Sequence, residues 1–206
     1  MANVDRPNGF KPVMHLTGAP FNGQGRKYMI GAADANAAAV GDLVILSDAA
    51  ATDGYAAVEP VNAATVTAAV IVGAIISVLP FNDTGGVSNG ASPTLDTPLY
   101  RVASTKRFVI VADSPDLLFE VQEDSVSGNI ALASVGLNAG FVAATPNTTT
   151  GFSNFKLDSS SVATTNTLPL QIMGVVQRVD NVVPDTNGRF LVRINTHAYH
   201  GSVTAV

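Results

Sequence analysis

Val70-Ile71-Val72-Gly73-Ala74-Ile75-Ile76-Ser77-Val78 is the stretch on which the fold class turns. Most of its residues branch at Cβ, which costs side-chain freedom in a helix and suits a pleated surface, so the run predicts a strand. It is apolar without alternation, as expected of a strand buried on both faces, and Gly73 predicts a bulge. The wider segment 61–79 approaches the ~20 apolar residues that span a bilayer. Asn62, Thr65, Thr67, Gly73 and Ser77 interrupt it, alanine outnumbers leucine, and no Lys or Arg flanks it, so a buried strand is the better reading. The alanines at 63, 64, 68 and 69 leave room for one helical turn ahead of it.

The same grammar extends in both directions. Asp42-Leu43-Val44-Ile45-Leu46 and Arg107-Phe108-Val109-Ile110-Val111 are compact apolar runs that predict further buried strands. After Ser114-Pro115-Asp116, Leu117, Phe119 and Val121 share one face while Glu120 and Gln122 share the other, which places the two polar residues toward solvent. The alternation returns with Phe155 and Leu157 against Asn154, Lys156 and Asp158. It returns again with Leu168, Leu170 and Ile172, where Gly174 shifts the phase before Val175 and Val179, and with Phe190, Val192 and Ile194 against Arg189, Arg193 and Asn195. Asp185-Thr186-Asn187-Gly188 reads as a hairpin turn, because Asn-Gly accepts two positive φ angles. Asn82-Asp83-Thr84-Gly85-Gly86 through Pro93 reads as a long loop.

Many short strands separated by turns predict an all-β protein, a sandwich or barrel of short, mainly antiparallel strands. Pro7, Pro12 and Pro20, with Gly9, Gly18, Gly23 and Gly25, forbid a helix or a central strand near the start, so residues 1–28 predict an extended N-terminal arm. The body, 29–206, divides into a small β-barrel around 35–80 packed on a second β region over 95–206. Phe10, Val13, Leu16, Phe21 and Tyr28 give the arm apolar side chains that a solvated tail would not need, which suggests an arm lying across a neighbouring subunit.

Composition narrows function. The chain of 206 residues is 47% hydrophobic and carries only 13% charged residues, against a usual ~25%, leaving a surface of Ala, Ser, Thr, Asn and Gly suited to assembly. It contains no cysteine, hence no disulfide, thiolate metal site or cysteine nucleophile. A net charge of −5 with no Lys/Arg cluster argues against nucleic acid as a partner. The opening residues lack a basic segment followed by an apolar run, which predicts a protein made and used without export, with no membrane partner.

Candidate chemistry is thin. His197 and His200 would share a helix face and could approach a metal, but a strand precedes them and no carboxylate lies nearby in sequence, so terminal packing is favoured and no metal or cofactor is expected. Gly23-Gln24-Gly25-Arg26-Lys27 lacks the spacing of a phosphate loop and reads as a bend presenting Arg26 and Lys27 to an acidic partner surface. Glu120, Glu123 and Asp124 could be proposed as paired carboxylates, yet they sit at a strand end where solvated charges are ordinary. No motif of a hydrolase, zinc peptidase or dinucleotide-binding protein occurs, and the expectation is a protein that is not an enzyme.

Asp5-Arg6-Pro7-Asn8-Gly9-Phe10-Lys11-Pro12-Val13, Phe119-Glu120-Val121-Gln122-Glu123-Asp124, Thr150-Gly151-Phe152-Ser153 and Leu191-Val192-Arg193-Ile194-Asn195-Thr196-His197 together resemble structural proteins of tailed bacteriophages. That resemblance implies a virion component, most like a capsid decoration (cement) protein. It would be a homo-oligomer, with a trimer favoured, made in the host cytoplasm and seated on the capsid surface against the major capsid protein. The residues expected to carry that contact are Phe10, Val13, Phe21, Arg26, Lys27 and Tyr28. A carbohydrate- or receptor-binding module of a fibre or cell surface is the alternative, although the absence of tryptophan and only 6% aromatic residues make sugar-stacking platforms scarce.

Overall fold

A computed structural model describes residues 3–48, 54–62, 65–80 and 97–200. The helical turn expected around Ala63 and Ala64 and the loop expected from Asn82 to Pro93 lie wholly or partly outside these residues; 65–70 are not helical. The protein is all-β, built from antiparallel sheets of short strands: β1 (Lys11–His15), β2 (Arg26–Ile30), β3 (Leu43–Leu46), β4 (Val58–Pro60), β5 (Ile71–Val78), β6 (Arg107–Ala112), β7 (Leu117–Gln122), β8 (Asn138–Ala139), β9 (Phe141–Val142), β10 (Lys156–Leu157), β11 (Leu170–Val175) and β12 (Arg189–Ile194). One five-stranded sheet runs β1-β7-β12-β11-β8, a second runs β2-β6-β5-β3-β4, and β9 pairs with β10 in a two-stranded ribbon.

The second sheet curls until its end strands meet. The Met29 amide donates to the Ala56 carbonyl at 3.1 Å and Met29 forms a parallel bridge with Ala57, closing a small barrel. Tyr28, Ile30, Val44, Val58, Val72, Ile75, Val109 and Val111 form the cluster inside it. This barrel recruits β2 and β6 from outside the 35–80 span expected, because a closed sheet needs partners for both edges of β5. Leu43, Ile71, Ala74 and Ala112 instead belong to the larger core shared with the first sheet, whose Phe119, Val121, Ile172, Phe190, Val192 and Ile194 pack there. The central barrel strands therefore bury both faces, as their unbroken apolar runs required. Each fully buried Leu, Ile or Phe contributes about 1.5–3 kcal/mol relative to exposure.

Two bulges fall where the glycines pointed, and two more, at Val13 in β1 and Ile76 in β5, lie where no glycine stands. Val44 faces Gly73 but Ile45 faces Ile71, leaving Val72 as the extra residue. A Cβ on Gly73 would lie 2.1 Å from the Ala112 carbonyl oxygen, so no side chain fits. The β11–β12 register likewise shifts between Ile172 and Gly174.

Residues 3–28 follow an extended path, but that path lies on the protein's own body. β1 pairs with β7 and β2 with β6. Phe10 is 1% exposed and meets Phe141 edge-on at 5.7 Å, an aromatic contact worth about 0.5–1.5 kcal/mol beyond its burial. Its amide donates to the Gly41 carbonyl at 2.9 Å. Gly9 and Gly41 take φ +64° and +97°, and a Cβ on either would sit 2.3 Å from a backbone oxygen of the other segment. Glycine at both positions lets the N-terminal segment pass against the barrel.

The 185–188 segment is not a tight hairpin. Asn187 takes φ +60°, as Asn-Gly chemistry allows, but Gly188 does not follow it into positive φ, and the connection between β11 and β12 runs over residues 176–188. The length of that connection matters for the surface it carries.

Candidate docking surface

The connection 176–188 is braced from within. Asn181 donates through Nδ2 to the carbonyls of Val176 (2.8 Å) and Arg189 (2.9 Å), and its Oδ1 accepts from the Arg189 amide at 2.9 Å. Beneath it, Glu120 accepts from Arg178 Nη2 at 2.7 Å and Arg189 Nη1 at 3.1 Å. Glu120 and Gln122 are thus buried rather than solvent-facing, because residues 3–6 and this connection cover the outer face of β7. Two guanidiniums balance the charge of the buried carboxylate, as burial demands.

Residues 3–6 lock onto the same place. Asn3 donates to the carbonyls of Val182 (2.8 Å) and Thr186 (2.9 Å) and accepts the Val182 amide at 2.8 Å. Gln122 accepts the Arg6 amide at 3.0 Å and donates to Asp5 Oδ1 at 2.7 Å and to Asn187 at 3.1 Å. Asp5 also holds Lys156 Nζ at 2.9 Å, and that hydrogen bond, followed by the one from Gln122, lowers the Asp5 pKa below its ordinary value. On this braced base stand Val179 at 96% exposure, Val4 at 66% and Val182 at 42%. Val179 was expected to continue the buried face of β11; the strand ends at Val175 and the loop turns the valine outward. The sequence signal was present as valines set among Asp180, Asn181 and Asp185 in a polar turn region.

The residues expected to bind a partner are distributed differently. Phe10 and Tyr28 are spent on the protein's own cores and cannot serve as contacts on a neighbour. Their burial follows from β1 and β2 being strands of this body. Val13 is half-buried in β1 with its carbonyl accepting the Phe21 amide at 3.0 Å, and Phe21 packs on the large core. Arg26 keeps an exposed side chain but its Nε pairs with Asp113 at 2.6 Å, and Lys27 Nζ lies 4.0 Å above Phe108 and 4.4 Å above Tyr55. The Tyr28 hydroxyl donates to Asp113 at 2.6 Å, and burial, reinforced by that bond, pushes its pKa up.

The candidate chemical groups do not converge. Glu120 serves two arginines. Glu123 accepts the Ile130 amide at 2.7 Å and the Gly188 amide at 3.2 Å, and burial raises its pKa despite both bonds. Asp124 Oδ1 accepts the Ser159 amide and hydroxyl at 3.0 and 2.7 Å. His197 is buried with Nδ1 accepting the Tyr199 amide at 3.0 Å, and burial lowers its pKa, while His200 is exposed. Among the described residues no three His, Cys, Asp or Glu side chains are grouped to hold a metal, and no helix is long and apolar enough to cross a membrane.

Compared with known proteins, this chain matches no family model, no curated protein and no solved structure.

Proposed function

We propose that the protein is a structural component of a tailed-bacteriophage virion, a capsid decoration protein that binds the outer surface of the head and reinforces contacts between major capsid subunits. One observation carries this reading: three exposed valines stand on a surface that is already rigid before any partner arrives. Exposed valines offer apolar area to a partner, and a hydrogen-bonded loop loses little entropy on binding, so more of the buried area appears as affinity. The sparse charge of the whole surface supports the same reading, since little has to be desolvated. The four phage-like segments add a resemblance consistent with it. The contact moves from the arm residues to residues 3–6 and 176–188, and a homotrimer would multiply that contact on one capsid position.

The test is binding of purified protein to heads that lack it. Val179→Asp with Val182→Asp is expected to weaken co-sedimentation at least about tenfold, a loss of about 1.4 kcal/mol or more, while the melting temperature of the free protein stays unchanged. Equal binding by the double variant, or no binding by the unaltered protein, would remove this reading.

A further inference from the structure

Residues 196–200 are seated on the barrel where β5 begins. His197 forms a parallel bridge with Ile71, the Ile71 amide donates to the Thr196 carbonyl at 2.9 Å, and the Ala198 amide donates back to the Ile71 carbonyl at 2.8 Å. The Thr196 hydroxyl adds a bond to the Ala69 carbonyl. Ala198 is 2% exposed and belongs to the apolar cluster inside the barrel, with Tyr28, Ile30 and Val44. Tyr199 is partly exposed; its hydroxyl lies 3.0 Å from that of Tyr28, and the Arg26 guanidinium stands 5.0 Å from its ring centre.

One side chain decides whether this segment stays in place. His197 is buried, and its Nδ1 accepts the Tyr199 amide at 3.0 Å while its carbonyl accepts the His200 amide at 3.2 Å. A ring nitrogen accepts a hydrogen bond only while it carries no proton, so the seated ring is neutral with its proton on Nε2. A second proton would set an N–H against the Tyr199 N–H and leave a positive charge out of water. The charged and titratable groups around the ring are Asp113, Asp116 and His200, with Arg26 beyond Tyr199. Asp113 already holds Arg26 Nε at 2.6 Å and the Tyr28 hydroxyl at 2.6 Å, and no described carboxylate forms an ion pair with the ring. Burial lowers the His197 pKa and His200 acts in the same sense, against the opposing pull of Asp113, the Val72 backbone and Asp116.

We infer that residues 196–200 form an acid-released latch: a proton arriving at His197 Nδ1 takes the place of the Tyr199 hydrogen bond, and the segment leaves the barrel, drawing Ala198 out of its cluster. A released His197 titrates at its ordinary value of 6.5, so the seated state is fully favoured above that pH and loses ground as pH falls through the lower value of the seated ring. Capsid attachment plays no part in this inference, which uses a different face of the protein.

The test is hydrogen exchange of the full chain read by NMR at pH 8 and pH 5, each rate divided by the intrinsic rate at that pH. The amides of Ile71, Ala198 and Tyr199 are expected to lose protection about fivefold to thirtyfold at pH 5, while those of β6 and β12 lose none. The upper figure of about thirtyfold is the ceiling set by a released ring titrating at 6.5 when the seated ring takes no proton. The midpoint of the loss should coincide with the titration of the His197 Cε1–H resonance. His197→Asn offers Oδ1 to the Tyr199 amide in an Asx turn and takes no proton in this range, so its protection should be equal at both pH values. His200→Gln, at an exposed position, should keep the loss. If His197→Asn fails to seat the segment at either pH, the midpoint comparison in the parent decides. Equal protection of the parent at both pH values, a midpoint away from the His197 titration, a loss that survives in His197→Asn, or a loss shared equally by β6 and β12 would overturn the inference.

Discussion

Asp42 lies fully buried where the barrel meets the N-terminal segment, with Oδ2 accepting the Ala39 amide at 2.7 Å. Burial raises its pKa to about 7, against the lowering effect of the Ser153 and Ala39 hydrogen bonds. The folded state therefore keeps this proton at pH values where the unfolded chain, titrating near 3.8, has lost it. The resulting stability is fully present below about pH 4 and is lost as pH rises through about 7. Asp42→Asn should abolish this part of the pH dependence. Urea midpoints at pH 5 and pH 8 should differ less in the variant than in the parent, and the variant should be the more stable of the two at pH 8. An unchanged difference would show that another group, such as Glu123, sets the slope. Arg101 illustrates the same scale without titrating: its buried guanidinium donates to the carbonyls of Gly31 (2.7 Å), Asp34 (2.7 Å) and Thr105 (2.8 Å), and to Asp34 Oδ2 at 3.1 Å. Nothing in its sequence neighbourhood distinguishes it from a surface arginine, because the loop it closes is 65–70 residues away in sequence.

Among the elements, the connection 176–188 departs furthest from its sequence reading. Its Asn-Gly pair is real turn chemistry, but a tight hairpin would have lacked the longer connection that brings Arg178 over Glu120. Asn181→Ala removes three hydrogen bonds at once and should destabilise the protein by about 1–3 kcal/mol. Hydrogen exchange should localise the effect, with the amides of Asn181, Val182 and Arg189 exchanging faster while those of β5 and β6 change little. Uniform acceleration would mean the loop is not a separately braced unit. The strand predictions fared better wherever the pattern was local. The two-residue period in Arg189–Ile194 and over 170–172 and the bulges beside Gly73 and Gly174 appear as read, whereas every residue of Leu117–Gln122 is buried.

In the molecule as a whole, barrel and first sheet share one core, sealed where residues 8–10, Gly41 and Ser153 pass within contact. The Ser153 amide donates to the Val40 carbonyl at 2.9 Å, tying the 150s loop to the same seam. Gly41→Ala would place a methyl group 2.3 Å from the Asn8 carbonyl at a positive φ that itself costs about 1–2 kcal/mol. The expected result is a melting temperature lowered by at least about 2–4 °C in a single calorimetric transition, since neither part keeps its core when the seam opens. Two separated transitions would show that barrel and sheet fold independently.

By itself the sequence determined that the chain is all-β, that the runs in β3, β5 and β6 are buried, that bulges fall beside Gly73 and Gly174 and that the start of the chain is extended. These are properties of side-chain shape and of a two-residue period, both carried by neighbouring residues. Only the tertiary structure decided that the extended start lies on the protein's own body, that Glu120 and Asp158 are buried, and that Val179 faces outward. Each depends on which distant segment covers a given face, and alternation along a strand fixes that two faces exist without fixing what lies over either of them.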